Sequence, residues 1–391
     1  MMDKVRLGDI AKISSGGTPS RNKRENWENG DIPWIKIKDL KSKYINSSEE
    51  NITKYALKNS TTKLYKKGTI LYTIFATIGE VAILNIDATT NQAIAGIEIN
   101  EKVINRDYLF YYLNSIKPKM VKKSRGVAQN NINLKILKNL EIKLVELSEQ
   151  EKIANKLGKV REIIDLRKKQ IEELDELIKS QFVKMFDNNS YEKITVKKAI
   201  EKKYIEKPLD GNHGNKHPKA NDYVKSGVPF LMANNIENGY VDLVNCNFIK
   251  KEQADSLDKG FAKNNDVLIT HKGTIGKTAI LHTDYEYVML TPQITYYRTN
   301  EKYLLPEYLK AYFDSEKFQS ILKNLAGSGS TRAYIGITEQ QKLELIVPPR
   351  ELQLNFMRIV KLIDKQKSIL EKNLEKITKL QESLMNKYFG E

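Results

Sequence analysis

The sequence predicts an α+β protein: two similar mixed α/β domains, joined by two long helices that can pair as a coiled coil. Three observations carry this. The phrase Thr73-Ile74-Phe75-Ala76-Thr77-Ile78-Gly79-Glu80-Val81-Ala82-Ile83-Leu84 returns as Thr270-His271-Lys272-Gly273-Thr274-Ile275-Gly276-Lys277-Thr278-Ala279-Ile280-Leu281. A second stretch of each half then matches the other without a gap. Finally, two proline-free segments carry apolar residues at steps averaging about 3.5, the period of a coiled-coil seam.

The duplication sets the organisation. Gly79 and Gly276 lie 197 apart, and Tyr108 and Tyr308 lie 200 apart. From there the offset is 203, pairing Gly126 with Gly329, Ile132 with Ile335, Leu140 with Leu343, Gln150 with Gln353 and Phe186 with Phe389. A period near 200 is far too long for a solenoid and means a duplicated domain plus connector. The order is a first domain over 1–147, a connector helix over 148–187, a second domain over 188–347 and a second connector over 348–391.

In the first domain, the β-type run Thr69–Ile74 is punctuated by Gly16-Gly17-Thr18-Pro19 and Gly30, and a short helix is expected at 106–116. In the first connector, Ile153, Leu157, Val160, Ile164, Ile171, Leu174, Ile178 and Met185 form the seam, with Arg167 and Gln181 as polar members. Ser148 followed by Glu151 has the form of a capping box at its start. The second domain repeats the pattern with Val267–Thr270, a turn at Asn238-Gly239 and a helix at 306–324. In the second connector the seam is Phe356, Ile359, Ile363, Leu370, Ile377, Leu380 and Leu384, interrupted by Gln366 and Asn373, and Pro348-Pro349 marks its approach. Each helix of about 39 residues would be roughly 58 Å long. Two amphipathic helices could instead pack separately on their own domains. If they pair, either orientation is geometrically open.

Gly276-Lys277-Thr278 looks like the tail of a phosphate-binding P-loop, but the spacing excludes it. The loop needs glycine five places earlier, where His271 stands, and the matching phrase has Glu80 in place of Lys277. Charge points elsewhere. The 391 residues carry 65 Lys and Arg against 49 Asp and Glu, a formal net charge of +16. A pI near 9.4 suits a nucleic-acid partner, although a lysine-rich proteome gives the same value. Hydrophobic residues at 40% and charged residues at 29% are ordinary for a globular chain. The single cysteine, Cys246, excludes a disulfide framework within the chain and fits a cytoplasmic location. No apolar run reaches the roughly 18 residues of a membrane span, and the start lacks the apolar core of a signal peptide.

Two similar basic domains suggest a ruler on duplex DNA, in which Lys and Arg hold phosphates and Arg, Lys, Asn and Gln read base edges. Candidates cluster at loop-like places. In the first domain they are Arg21, Lys23 and Arg24, then Lys122, Lys123 and Arg125, then Gln129, Asn130 and Asn131. In the second they are Lys216, His217 and Lys219, then Asn234 and Asn235, then His271 and Lys272, then Arg332 and Tyr334. The glycine-led loops at Gly126 and Gly329 share a repeat position yet differ in side chains, as two readers of different sequences would. The bland alternative for each residue is a solvated side chain.

Catalysis finds little support. His213 and His217 have helical spacing, but Gly214 and Pro218 make them a poor rigid metal pair. No His-Glu-x-x-His or Gly-x-Ser-x-Gly occurs, and the only Pro-Pro pair lacks the flanks of an adenine methyltransferase motif. Catalytic residues of a duplicated enzyme should recur, whereas Gly, Ile, Leu and helix-surface charge recur here.

The chain resembles the specificity subunits of type I restriction–modification systems. The resemblance rests on Val5-Arg6-Leu7-Gly8-Asp9-Ile10 with Gly16-Gly17-Thr18-Pro19-Ser20, and on Ile32-Pro33-Trp34-Ile35 echoed as Val228-Pro229-Phe230-Leu231. It rests also on the two Thr-Ile-Gly phrases and on the helix approaches Leu147–Ile153 and Val347–Gln353. Two departures, Glu146-Leu147 where proline is usual and Leu352-Gln353 for Glu-Gln, bear on local helix entry. The resemblance implies target recognition domains that each read half of a bipartite site, on antiparallel helices that set the spacer. It implies two methyltransferase subunits and restriction translocase subunits as partners. Chemistry would belong to those partners, with S-adenosylmethionine, ATP and magnesium as their cofactors and none in this chain. An enzyme with an unrecognised site and a protein-binding scaffold are the competing classes.

Overall fold

Each repeat opens and closes on the same two-stranded ladder. Lys4–Arg6 runs antiparallel to Glu141–Lys143, with Val5 opposite Ile142. Glu192–Thr195 runs antiparallel to Glu344–Val347, with Ile194 opposite Leu345. Ile142, Ile194 and Leu345 are buried and Val5 partly so, and the strand that enters a repeat thereby anchors the strand that leaves it. Tyr108 and Tyr112 donate to the carbonyls of Lys143 (2.9 Å) and Glu141 (2.7 Å), and Tyr308 and Tyr312 donate to those of Ile346 (2.9 Å) and Glu344 (3.0 Å). The computed structural model describes residues 4–124, 131–187, 191–327 and 334–390.

The chain divides into two units. The first comprises 1–168 with 372–391, the second 169–371. Each therefore holds one mixed domain and half of each long helix.

In the first unit the central sheet is ordered Ala11–Ser15, Ile94–Ile99, Ile70–Thr73, Val81–Leu84, Tyr44–Ile45. Its neighbours are antiparallel except the last pair, which is parallel. The second unit's counterpart is ordered Leu209–Asp210, Ile294–Tyr297, Val267–Lys272, Thr274–Ile280, all antiparallel. Register follows the duplication: Ile70 faces Ile97 and Val267 faces Tyr297. Near-continuous burial of Ile70–Thr73, Val81–Leu84 and Val267–His271 explains why these strands are apolar without alternation.

The helices that cover these sheets differ from the expected ones. The helix expected at 306–324 is two, Pro306–Asp314 and Glu316–Ala326. Ser315 breaks them by adopting an extended backbone, and its hydroxyl accepts the Phe318 N–H. Likewise Arg106–Ser115 is followed by a second helix, Lys117–Ser124.

The two long helices, Leu147–Phe186 and Arg350–Phe389, are 40 residues each. In the first unit, Ile153, Leu157, Val160 and Ile164 share a core with Leu374, Ile377 and Leu384. In the second, Ile178, Phe182 and Phe186 share a core with Phe356 and Val360. The beginning of one helix meets the end of the other in both units, so the pair is antiparallel. Phe186 packs on Tyr308 (ring centroids 4.8 Å) and its repeat mate Phe389 on Tyr108 (5.2 Å). Each such aromatic contact contributes about 0.5–1.5 kcal/mol beyond area burial.

The seam of the second long helix departs from the expected one at every other position. Phe356, Ile363 and Leu384 are buried as expected. Between them the inward residues are Val360, Lys367 and Leu374, rather than Ile359, Gln366 and Asn373, and Leu380 is exposed. Steps of 3-then-4 and 4-then-3 share half their positions and average the same, so periodicity alone does not choose. The helix entry chooses. Gln353 is fully buried; its Oε1 accepts the Leu305 N–H (2.9 Å), and its Nε2 donates to the carbonyls of Tyr303 and Pro348 (both 2.9 Å). Gln150 makes the same three bonds, to Asn105 (2.8 Å), Val103 (3.2 Å) and Val145 (2.8 Å). This clip sets the rotation of each helix about its axis. Among the described residues no helix is long and apolar enough to cross a membrane.

Candidate nucleic-acid interface

The repeated Thr-Ile-Gly phrase lies at one edge of each central sheet, as a turn at Thr77-Ile78-Gly79 and as the start of the returning strand at Thr274-Ile275-Gly276. Gly79 and Gly276 have φ of +88° and +87°, a left-handed backbone that glycine adopts without strain. Thr73 Oγ1 accepts the Glu80 N–H (2.9 Å), and Thr270 Oγ1 accepts the Lys277 N–H (3.0 Å). The backbone role of this position is shared by both units while its side chain is not: Glu80 pairs with Lys117 (2.6 Å), and Lys277 stands exposed at the equivalent place. The glycine seats against the following helices: an added Cβ would lie 2.8 Å from Lys117 Cγ at Gly79 and 2.3 Å from Gln319 Oε1 at Gly276. Val267–Lys272 and Thr274–Ile280 form an antiparallel hairpin, not the strand-to-helix loop that cradles phosphate.

Three further segments reach this edge. The Ile132 N–H donates to the Ile74 carbonyl (2.9 Å) and Phe75 bridges Asn131; at the equivalent place Ile335 donates to His271 (3.0 Å) and Lys272 bridges Tyr334. Ile74 donates to Ala93 (2.8 Å) and His271 to Gln293 (2.9 Å). Gly16 and Gly211 leave the first strand so close to neighbouring backbone that a Cβ would fall 2.3 Å from the Thr90 carbonyl oxygen and 1.8 Å from that of Leu290. The edge therefore gathers Thr18, Phe75, Gln92 and Asn131 in one unit and His213, Lys272, Gln293 and Tyr334 in the other. The backbone bonds recur, and the side chains they present differ.

The candidates fall into distinct environments. Lys122 and Lys123 are exposed on the last turn of Lys117–Ser124, Lys23 and Lys219 are exposed, and Arg24 is exposed beside Glu28 (3.7 Å). Arg21 stacks its guanidinium over Trp27 (3.8 Å) and pairs with Glu50 (2.6 Å), with half its side chain exposed. Lys216 is bound by both oxygens of Asp258 (2.8 and 2.7 Å). Asn131 is half-buried beside Phe75, and Asn234 is exposed. Arg125, Gln129, Asn130 and Arg332 lie outside the described residues.

Two candidates are corrected. Asn235 is buried, and its Oδ1 caps the local turn by accepting the Met232 N–H (2.9 Å). His271 is 2% exposed and is a core residue at the position of Ile74. Its Nδ1–H donates to the Ile335 carbonyl (2.9 Å), which leaves Nε2 buried without a partner. Sequence pattern missed this because the flanking Lys272 and Gly273 read as a loop.

Behind the edge of the second unit sits a charged group. Asp210 is buried and binds Lys259 and His213 Nε2 (2.8 Å), with His271 Nε2 3.9 Å away. Burial pushes the Asp210 carboxyl up, but its bonds to Lys259 and His213 outweigh burial and hold it below the usual range. Burial pushes the His271 and His217 imidazoles down, which keeps both neutral near pH 7. Lys272 and the half-exposed Tyr334 stand in front, with Nζ 6.0 Å from the ring. His213, Gln293, Thr18 and Gln92 were not candidates. The signal that finds them is the pairing of Gly16 with Gly211, visible once the strands are aligned. No group of His, Cys, Asp or Glu among the described residues is arranged to hold a metal.

A family model described as the type I restriction modification DNA specificity domain matches residues 1–176 and 207–379. The MjaIX specificity subunit of Methanocaldococcus jannaschii is 28% identical over all of this chain and 93% of its own length. The EcoR124I/EcoR124II specificity subunit of Escherichia coli is 32% identical over 44% of this chain and 46% of its own. A chain solved in work on assembly and conformational transition of a type I R-M system covers 99% of this chain and 97% of its own, with TM-score 0.59 and 15% identity. The S subunit from M. genitalium covers 100% and 96%, with TM-score 0.54 and 16% identity.

Proposed function

The chain belongs to the type I restriction–modification DNA specificity family and is a specificity subunit rather than a catalytic one, and from that premise we propose that each unit reads one half of a bipartite duplex site. The observation that carries the proposal is the edge built twice. Equivalent backbone bonds bring equivalent segments together in both units, while the side chains presented differ: Thr18, Phe75, Gln92 and Asn131 against His213, Lys272, Gln293 and Tyr334. A shared frame with divergent polar tips is what two readers of unlike sequences require. Exposed Lys122, Lys123 and Lys272 supply positive charge for phosphates.

The antiparallel helices then set the unspecified spacer, and two methyltransferase subunits dock on their outer faces. Ile163, Leu166, Leu177, Val183, Leu362 and Ile369 support this: each is more than 40% exposed on a long helix. Large apolar side chains recurring on solvent faces mark protein contact more than stability. Adenine methylation and any cleavage would reside in those partners, with S-adenosylmethionine, ATP and magnesium serving them.

A genome-wide map of methylated adenines, in cells with and without this chain, tests the reading. Loss of one bipartite motif on deletion supports it, and an unchanged map argues for a protein-binding scaffold.

A further inference from the structure

A charge pair between the long helices, with Lys367 inside the seam and the half-exposed Asp175 at its margin, breaks the duplication. Lys367 is 6% exposed and occupies an inward position of the second helix. Its Nζ lies 2.7 and 2.9 Å from the two oxygens of Asp175 on the first helix. Its ammonium also faces the ring of Tyr240, on the Ile236–Val241 hairpin of the second unit, at 5.7 Å. The offset of 203 puts Ile164 at the position of Lys367 and Thr378 at that of Asp175. Ile164 is a buried seam residue of the first unit, and the Thr378 hydroxyl turns back to the Leu374 carbonyl of its own helix (2.8 Å).

Two helices from one duplicated ancestor share their seam pattern, so each could pair with a second copy of itself. The charge pair penalises that. In a pairing of the second helix with its own copy, at the same stagger, Lys367 would face Thr378. In a pairing of the first helix with its own copy, Asp175 would face Ile164. The first strands buried Lys367 in an apolar seam, and the second leaves the half-exposed Asp175 carboxylate against isoleucine, whereas the pairing of unlike helices matches both. We propose that Asp175 and Lys367 are the positioning residues that make the helix pairing heterotypic and fix its stagger. An ion pair with a buried member contributes little net stability, since desolvation offsets the attraction, but leaving the buried Lys367 unmatched is strongly unfavourable. Single polar seam residues act in this way in coiled coils. The pairing rule concerns the helices alone and stands whether or not the units read DNA.

The test uses the full chain. A like-with-like pair of second helices, with Lys367 facing Thr378, would have its centre at 372–373. An N373C substitution therefore reports that pairing as a disulfide-linked dimer after refolding and oxidation, read on a non-reducing gel against the buried Cys246 background. The reporter is placed in the wild-type chain, in D175T/K367I, which gives the second unit the residues of the first, and in the charge-swapped D175K/K367D. Expected is about a tenfold rise in linked dimer in D175T/K367I, with a melting temperature at or above that of the wild type, and little dimer in the other two. D175T alone should melt lower, because Lys367 is then buried without a partner. Equal dimer in all three backgrounds, or none in D175T/K367I, overturns the proposal. So does a D175T/K367I chain that melts as low as D175T, since that makes the pair a net source of stability.

Discussion

His271 and Gln353 show how single buried polar groups shape this chain's stability. The ordinary imidazole titrates at 6.5, and burial holds that of His271 lower. As pH falls below about 6.5 the unfolded chain takes up a proton that the folded chain refuses, so stability falls with acidification and is complete above that pH. H271I installs the first unit's residue, Ile74, and should reduce the loss of melting temperature between about pH 7.5 and 5.5. His217, shifted the same way, keeps part of the loss, and an undiminished loss would place the sensitivity elsewhere. Gln353 is a different case, because its three bonds are uncharged and two of them reach across to Tyr303 and Leu305. Q353L would leave the Leu305 N–H and two carbonyls buried without partners, at about 1–3 kcal/mol. Thermal melts should show it, with Q150L behaving alike in the first unit. A neutral outcome would mean that the clip does not set the helix entry.

At the scale of elements, the long helices carry the most consequence per residue. Adding one heptad to the first helix preserves the seam phase but lengthens the helix by about 10 Å. The methylated motif should then change its spacer, or the complex should fail to assemble; an unchanged spacer would show that the helices are not the ruler. The seam itself was partly legible in the sequence. Spacing identified two long helices, and identified Ile153, Leu157, Val160 and Ile164 as inward. It misassigned alternate positions of the second helix, because Ile359 and Val360 are equally apolar and Gln366 reads as better seam filler than Lys367. Only the Gln353 clip and the facing Asp175 select between them.

For the whole molecule, the charge of +16 becomes a measurable statement about partners. If exposed lysines such as Lys122, Lys123 and Lys272 hold phosphates, DNA affinity of the assembled complex should fall steeply with salt. Each K→A change should reduce the logarithmic slope by about 0.9. A slope near zero would return the charge to composition. By contrast, N234A should leave the slope unchanged and relax the methylated motif at one half-site only. Loss at both would show that Asn234 serves architecture.

The amino-acid sequence by itself determined the duplication, the α+β class and the two heptad helices, because these rest on local periodicity and on an offset that any folding must respect. It also excluded the P-loop, since that motif is defined by spacing along the chain. What the tertiary structure decided is which segments meet. The strand exits at Gly16 and Gly211, the Thr-Ile-Gly phrases, and residues 131 and 334 are remote in sequence and become neighbours, within each unit, only through antiparallel sheet register. The same register withdrew His271 from the surface, while Asn235 turned inward to cap its own short turn on Met232. A polar side chain in a loop-like stretch is solvated or buried according to which backbone carbonyl or amide stands opposite, and that opposite partner is set by the fold.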